Sequence, residues 1–215
     1  KVMAPTANLK KYEITLVTAP QSDPTQMHVA VPNLIAFMRA NGYPHTAGRD
    51  CSIGAYEYFL RRDRLEQGSE CLRHRLRELD EKHRLTQEEA KRFYKLAKCL
   101  LLSDAVIDGI DDALAIVRTP RGFHDFDAYW DAINLIEHAL QIVSAEFDPW
   151  DWSMFGCEAP GDRNGLTSLI SAVQDFENNP FVEYYRAEVL PWLAKEPCDL
   201  LGISMVYTSQ LIPGL

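Results

Sequence analysis

The chain lacks a Cys-x-x-Cys pair, a glycine-rich phosphate loop, an apolar run of bilayer length and any excess of basic charge. Each absence removes a class of protein. Its cysteines, Cys51, Cys71, Cys99, Cys157 and Cys198, are odd in number and scattered, which argues against a disulfide framework and a zinc site and suits reduced cytosolic thiols. A net charge of -9 argues against nucleic acid as a main partner, because phosphate binding needs a basic surface. The basic cluster Arg73–Arg77 is flanked by Glu70, Glu78, Asp80 and Glu81 and reads as an exposed helix laced with salt bridges. The longest apolar run, Lys98 to Val106, is broken by Ser103 and Asp104, well short of the roughly 20 residues that span a membrane. No charged-then-apolar leader opens the chain, which starts at Lys1 rather than Met, so its true start is processed or lies upstream. The expectation is a cytoplasmic protein with no membrane and no nucleic-acid partner.

With 215 residues, 47% of them hydrophobic, the chain can bury a substantial core. After a polar arm (residues 1–11), Tyr12–Thr18 (YEITLVT) reads as a strand ending at Ala19-Pro20. Pro32, Leu34, Ile35, Phe37 and Met38 outline a helix stopping at Asn41-Gly42. His45–Ile53 resumes as a weaker strand interrupted by Gly48, completing a βαβ unit.

A helical series follows: Ala55–Leu65, Glu70–His83, Gln87–Leu102 behind a Thr86/Glu89 capping box, Asp104–Val117, a turn at Thr119–Gly122, and Asp127–Ala145. The aromatic stretch Phe147–Phe155 has no clear period. Helices near Leu166–Glu177 and Phe181–Lys195 precede the last strand, Asp199–Thr208, which is apolar on both faces like a central parallel strand.

Such a strand needs cover on both faces and neighbours on both edges, yet the chain stops soon after it. About 145 residues separate the second and third strands, where a crossover needs about a dozen. The intervening helices therefore read as an insertion. The fold class expected is α/β: a Rossmann-like parallel sheet of about three strands, unfinished in this fragment, with a large all-helical insertion between the second and third. The domain boundaries expected are 12–54 for the first βαβ part, 55–178 for the insertion and 179–215 for the return to the sheet.

The segments ITLVTAP, VPNLIAFMRANGY and RDCSIGAYEYFLR resemble the start of radical SAM proteins with a cobalamin-binding domain. The closing stretch, NNPFVEYYRAEVLPWLAKEPCDLLGISMVYTSQLIPGL, resembles the "NPF…LP.L…PDLVGISV.Y.SQLIPAL" pattern of the subgroup with a helical insertion. The resemblance runs from Tyr12 to the end, and the middle matches only in style. It implies a cobalamin domain placed before a barrel that carries a 4Fe–4S cluster on CxxxCxxC and cleaves S-adenosylmethionine. It also implies methyl transfer or another radical step on a small-molecule or peptide substrate. The chain has no CxxxCxxC, so this part alone is expected to be non-catalytic, and it has no DxHxxG to supply a lower axial histidine. A cofactor-free docking or recognition domain is the alternative.

Ligands of open parallel sheets sit beyond the carboxyl ends of the strands. The candidate cofactor-binding residues are therefore Thr18, Ala19 and Pro20 after the first strand, Asp50 and Cys51 after the second, and Tyr207, Thr208, Ser209 and Gln210 after the third. Thr208 and Ser209 also suit the cap of a following helix. Thr18-Ala19-Pro20 is glycine-free and its proline donates no amide, which disfavours a flavodoxin-like phosphate site. Trp150 and Trp152 suit either a ligand wall or a staple of loop to core. His28 in the first loop suits either approach to a ligand or a solvated loop position, and His124 with Asp125 and Asp127 offers either a metal trio or a helix cap.

Overall fold

The computed structural model describes residues 11–161 and 165–215. The proposed arm, Lys11 apart, lies outside the described residues. The protein is α/β: a three-stranded parallel sheet with a large helical region inserted between its second and third strands. It divides into two compact units, Lys1–Tyr56 with Asn164–Leu215, and Glu57–Arg163.

In the first unit, β1 (Ile14–Thr18) is the centre of a sheet ordered β2-β1-β5, with β2 at Thr46–Asp50 and β5 at Leu200–Ser204. Both pairings are parallel, and Thr18 stands opposite Asp50 on one side and Ser204 on the other. Ile14 and Val17 are buried, as are Thr15 and Thr18, the β-branched composition a central strand favours. Between β1 and β2 runs α1 (Ala30–Ala40), which ends where Gly42 takes a φ of 96°, a conformation that favours glycine. Arg39 donates from Nε and Nη2 to the Thr46 carbonyl (2.9 and 2.7 Å), tying the helix end to the start of β2. Gly48 lets the helix come close: a Cβ there would lie 2.6 Å from Ile35 Cδ1.

The strand expected to reach Ile53 ends at Asp50. The Asp50 carboxylate accepts the N–H groups of Ser52 (2.9 Å) and Ile53 (3.0 Å), starting α2 (Cys51–Phe59); the capping power of Asp outweighs the β-like pattern. The chain returns through α7 (Leu166–Val173), shorter than expected, and α8 (Pro180–Tyr184). The single helix expected over Phe181–Lys195 contains a π-helical turn at Tyr185–Val189 before α9 (Leu190–Leu193). Pro191 has no N–H for the Ala187 carbonyl and crowds it, so the hydrogen-bond ladder slips by a residue just before it.

Among the described strands β5 is an edge rather than the centre. Leu200, Leu201 and Ile203 are 55%, 41% and 47% exposed. Two-faced apolarity marks a strand built to be covered, but says nothing of which neighbour lies on which side.

The second unit is built on α3 (Arg62–Asp80), α4 (Gln87–Arg118) and α6 (Phe126–Glu146). Leu60, Leu65, Leu72, Leu96, Ile110, Leu140 and Ile142 are among its fully buried aliphatic side chains. The Thr86/Glu89 capping box is formed at the start of α4. The two helices expected between Gln87 and Val117 are one. Ser103 stays helical by donating to the Leu100 carbonyl (2.9 Å) and receiving Ser69 Oγ (3.2 Å), while Asp104 faces Arg73. The turn expected at Thr119–Gly122 is a short helix, α5 (Pro120–Phe123), with Thr119 as its cap and proline in its first turn. Arg75 departs from the expected solvated cluster: it donates to the Ala145 and Glu146 carbonyls (2.6 and 2.7 Å), closing the end of α6.

The aromatic stretch forms a hairpin, β3 (Asp151–Ser153) with β4 (Gly156–Glu158). Trp150 and Trp152 are 2% and 1% exposed, and Trp152 meets Phe59 edge-on at 5.3 Å, so these rings staple the hairpin to the core. Asp125 caps α6 through the Ala128 N–H (3.2 Å). Among the described residues no helix is long and apolar enough to cross a membrane.

Candidate functional site

The strand register places Thr18, Asp50 and Ser204 side by side, so the three carboxyl ends of the sheet emerge at one edge. All nine sequence-predicted residues sit in the chain segments leaving that edge, and they divide into two groups.

The first group is structural. Ala19, Cys51 and Gln210 are fully buried, Thr18 nearly so, and Pro20 is buried with them. The Ala19 N–H continues the ladder to the Ser204 carbonyl at 3.1 Å. Gln210 then bridges the two outgoing loops. Its Nε2 donates to the Ala19 carbonyl (2.6 Å) and its Oε1 accepts the N–H groups of Val206 (2.7 Å) and Tyr207 (3.1 Å). Ser209 Oγ donates to the Gln21 carbonyl (2.9 Å). Residues that the sequence reading passed over complete this stitching: Ser22 and Ser52 share a hydroxyl contact of 2.8 Å, and Gln21 Nε2 donates to Tyr56 Oη (2.7 Å). A polar Gln-Ser pair directly after Pro20 was the available signal.

The second group faces outwards. Tyr207 is 45% exposed, and Thr208 and Asp50 are exposed. Beside them lie Met205, Val206 and Ile53, all substantially exposed. His28 reaches this edge from the loop after β1: its ring meets Tyr207 edge-on at 5.7 Å, with Nε2 3.3 Å from the Asp23 carbonyl. The short helix α10 (Leu211–Gly214) closes over the loop, where a Cβ on Gly214 would lie 3.2 Å from Ala19 Cβ.

Electrostatically the edge holds no activated nucleophile. Burial pushes the Cys51 thiol up to about 11, against a smaller lowering by Arg49. The same desolvation raises the neighbouring Tyr184 hydroxyl, with the Cys51 charge adding to it. Both groups are held neutral at physiological pH.

The surface therefore suits a flat ligand lying on an apolar rim with a few hydroxyls, Tyr207 and Thr208 among them, and with the carboxylate of Asp50. Its buried amide and serine groups are committed within the protein. A cavity of about 160 Å³ opens at the opposite, amino-terminal end of the strands, lined by Arg39, His45 and Trp192 among others; parallel sheets place their ligands at the other end. No protein-family model, curated protein or solved structure matches the chain.

Proposed function

We propose that this edge is the binding face of a cobalamin-type domain in a radical SAM enzyme. The observation that carries the reading is the convergence of the three parallel carboxyl ends at Thr18, Asp50 and Ser204, with an exposed apolar and hydroxyl rim. The resemblance of the opening and closing segments to that family supplies the ligand class. In this reading Tyr207, Thr208, Asp50 and His28 line the face, while Ala19, Pro20, Cys51, Ser209 and Gln210 keep its wall rigid. Cobalamin would supply a transferable methyl group or a radical centre. The 4Fe–4S cluster and S-adenosylmethionine belong to a separate domain, because this chain has no CxxxCxxC. The substrate, a small molecule or peptide, would be met there, and the protein would work in the cytoplasm.

The test is retention of cofactor. Purified protein incubated with hydroxocobalamin and desalted is expected to keep the corrin spectrum at near one equivalent, and Tyr207→Ala or Thr208→Val to weaken retention. A spectrum lost completely on desalting overturns the reading.

One observation favours a second reading, a cofactor-free docking domain. Gln210, Ser209 and one oxygen of Asp50 already have protein partners, which leaves few donors for a corrin's amides. Loss of the corrin, together with capture of a cluster-bearing SAM domain by the immobilised protein, would support it.

A further inference from the structure

The helical unit has an apolar groove of about 740 Å³ along the α3–α4 pair. Buried Leu76 lines it from α3, and Phe93, Ala97, Leu100 and Leu101 line it from α4. Leu101 is 85% exposed, so the groove is open to water, an apolar surface of the kind that marks an interaction site. Arg73 and Arg77, one turn apart on α3, edge it, and Asp80 stands beyond them. Arg73 lies 3.3 Å from Asp104 in a pair exposed on both sides, a contact that is readily exchanged. Arg77 Nε donates to the Arg73 carbonyl (3.2 Å), and among the described residues Arg77 has no carboxylate partner. The lining is thus net positive in a chain of net charge -9.

The same unit carries a surface of opposite character at the start of α6. Phe126 and Trp130 are 74% and 56% exposed, and their rings stack at 6.3 Å. The next row around the helix is Asp127 and Asp131, both exposed and, among the described residues, without an ion pair. Asp127 suits the N-terminal turn of the helix, but Asp131 lies a turn beyond it, and two large rings are left in water at a cost. The two surfaces match: each sets an apolar row beside a charged row with a one-turn repeat, basic at the groove and acidic on α6. A helix with an apolar face and a polar back suits a groove open on one side. An acyl chain, apolar all round, would leave its outer side wet.

We propose that the groove docks a second copy of the chain, taking that copy's Phe126 and Trp130 between α3 and α4 while its Asp127 and Asp131 pair with Arg73 and Arg77. Two rings of about 150–250 Å² each, already partly covered, with a matching area of groove, stay below the ~1,200 Å² of a standard interface. The association is therefore weak, with a Kd of about 10–100 µM, and the charged rows set its specificity. It stands on the helical unit alone and does not depend on the reading of the sheet edge.

The experiment is sedimentation equilibrium of the intact protein over a concentration series spanning that range. The native chain is expected to rise in weight-average mass with concentration. Arg73→Glu with Arg77→Glu, and Asp127→Arg with Asp131→Arg, each set like charges face to face and are expected to weaken association at least about ten-fold. All four positions are exposed, so circular dichroism should be unchanged. An equimolar mixture of the two variants is expected to associate like the native chain, because the contact joins unlike surfaces and each altered row then meets its opposite. Phe126→Ser with Trp130→Ser is expected to weaken association by a similar factor, and it decides the matter if a charge variant fails to fold. A native chain that stays monomeric at several times the expected Kd, including one whose groove takes up dodecanoate instead, overturns the proposal. So does any of these variants associating as tightly as the native chain, or a mixture that associates no better than its components.

Discussion

Replacing Gln210 by alanine removes three hydrogen bonds from the place where the loops leaving β1 and β5 meet. The Ala19 carbonyl belongs to a fully buried residue and receives Gln210 Nε2 at 2.6 Å. Leaving a buried acceptor unpaired costs about 1–3 kcal/mol. The Val206 and Tyr207 N–H groups belong to exposed residues and rehydrate, so each adds no more than about 0.5 kcal/mol, the low end for a net hydrogen bond. The total is about 1–4 kcal/mol, equivalent to a roughly five- to several-hundred-fold fall in amide protection. Hydrogen exchange read by mass spectrometry should place this fall in peptides covering 14–22 and 200–215. Peptides from α4 and α6, in the other compact unit, should not change.

Gln210→Glu sharpens the test. It keeps the acceptor oxygen but sets a carboxylate against the Ala19 carbonyl, so its folded pKa should be raised. Stability should then be present below the ordinary glutamate range, near about 4.3, and be lost as pH rises through the folded value. A change in Gln210→Ala of less than about 0.5 kcal/mol, or an equal loss in α4 and α6, would refute the reasoning.

Ser144→Ala should free the β3–β4 hairpin. Ser144 Oγ accepts the Trp152 N–H (2.7 Å) and donates to the Leu140 and Trp152 carbonyls, so a loss of about 1–3 kcal/mol with reduced near-UV tryptophan signal is expected. Thr86→Ala should destabilise the start of α4 by about 1 kcal/mol, seen as faster exchange in its first turn. Lys82, followed by the Thr86 N–H, holds the Glu89 carboxyl down to about 2. Its contribution should therefore be present above the ordinary carboxylate range and fade as pH falls towards that value, followed by the Glu89 side-chain resonance. Cys51, raised from 9.0 to about 11, should resist alkylation in the native protein while the half-buried Cys71 and Cys198 react; labelling of Cys51 at an equal rate would contradict its burial.

The sheet was legible because strand and helix periods alternate over the first fifty residues, and because Gly42 and Pro180 punctuate the helices where the sequence places them. The capping box at Thr86 was legible for the same local reason. What escaped was decided by tertiary partners. Ser103 and Asp104 look like a helix break until Ser69 and Arg73 satisfy them. Asp50 looks like the middle of a strand until its carboxylate turns to cap α2. Trp152 carries no period because its burial depends on Phe59 and Ser144, distant or out of register in sequence. At the candidate edge, strand ends indicate location, but only coordinates separate Gln210, buried and committed, from Tyr207, exposed.

The pairing of β1 with β5 has a consequence for synthesis. Glu13 N–H reaches the Asp199 carboxylate at 2.9 Å across 186 positions of chain. On a ribosome adding roughly 5–20 residues per second, β1 and β2 emerge about 150 residues before β5, a wait of some 8–30 seconds. The insertion's helices make short-range contacts and can settle within that interval. The apolar flank of β1 meanwhile has no mate, and an extended segment from another nascent chain could take that place first. Chaperone demand during expression should therefore track the speed of translation through the insertion.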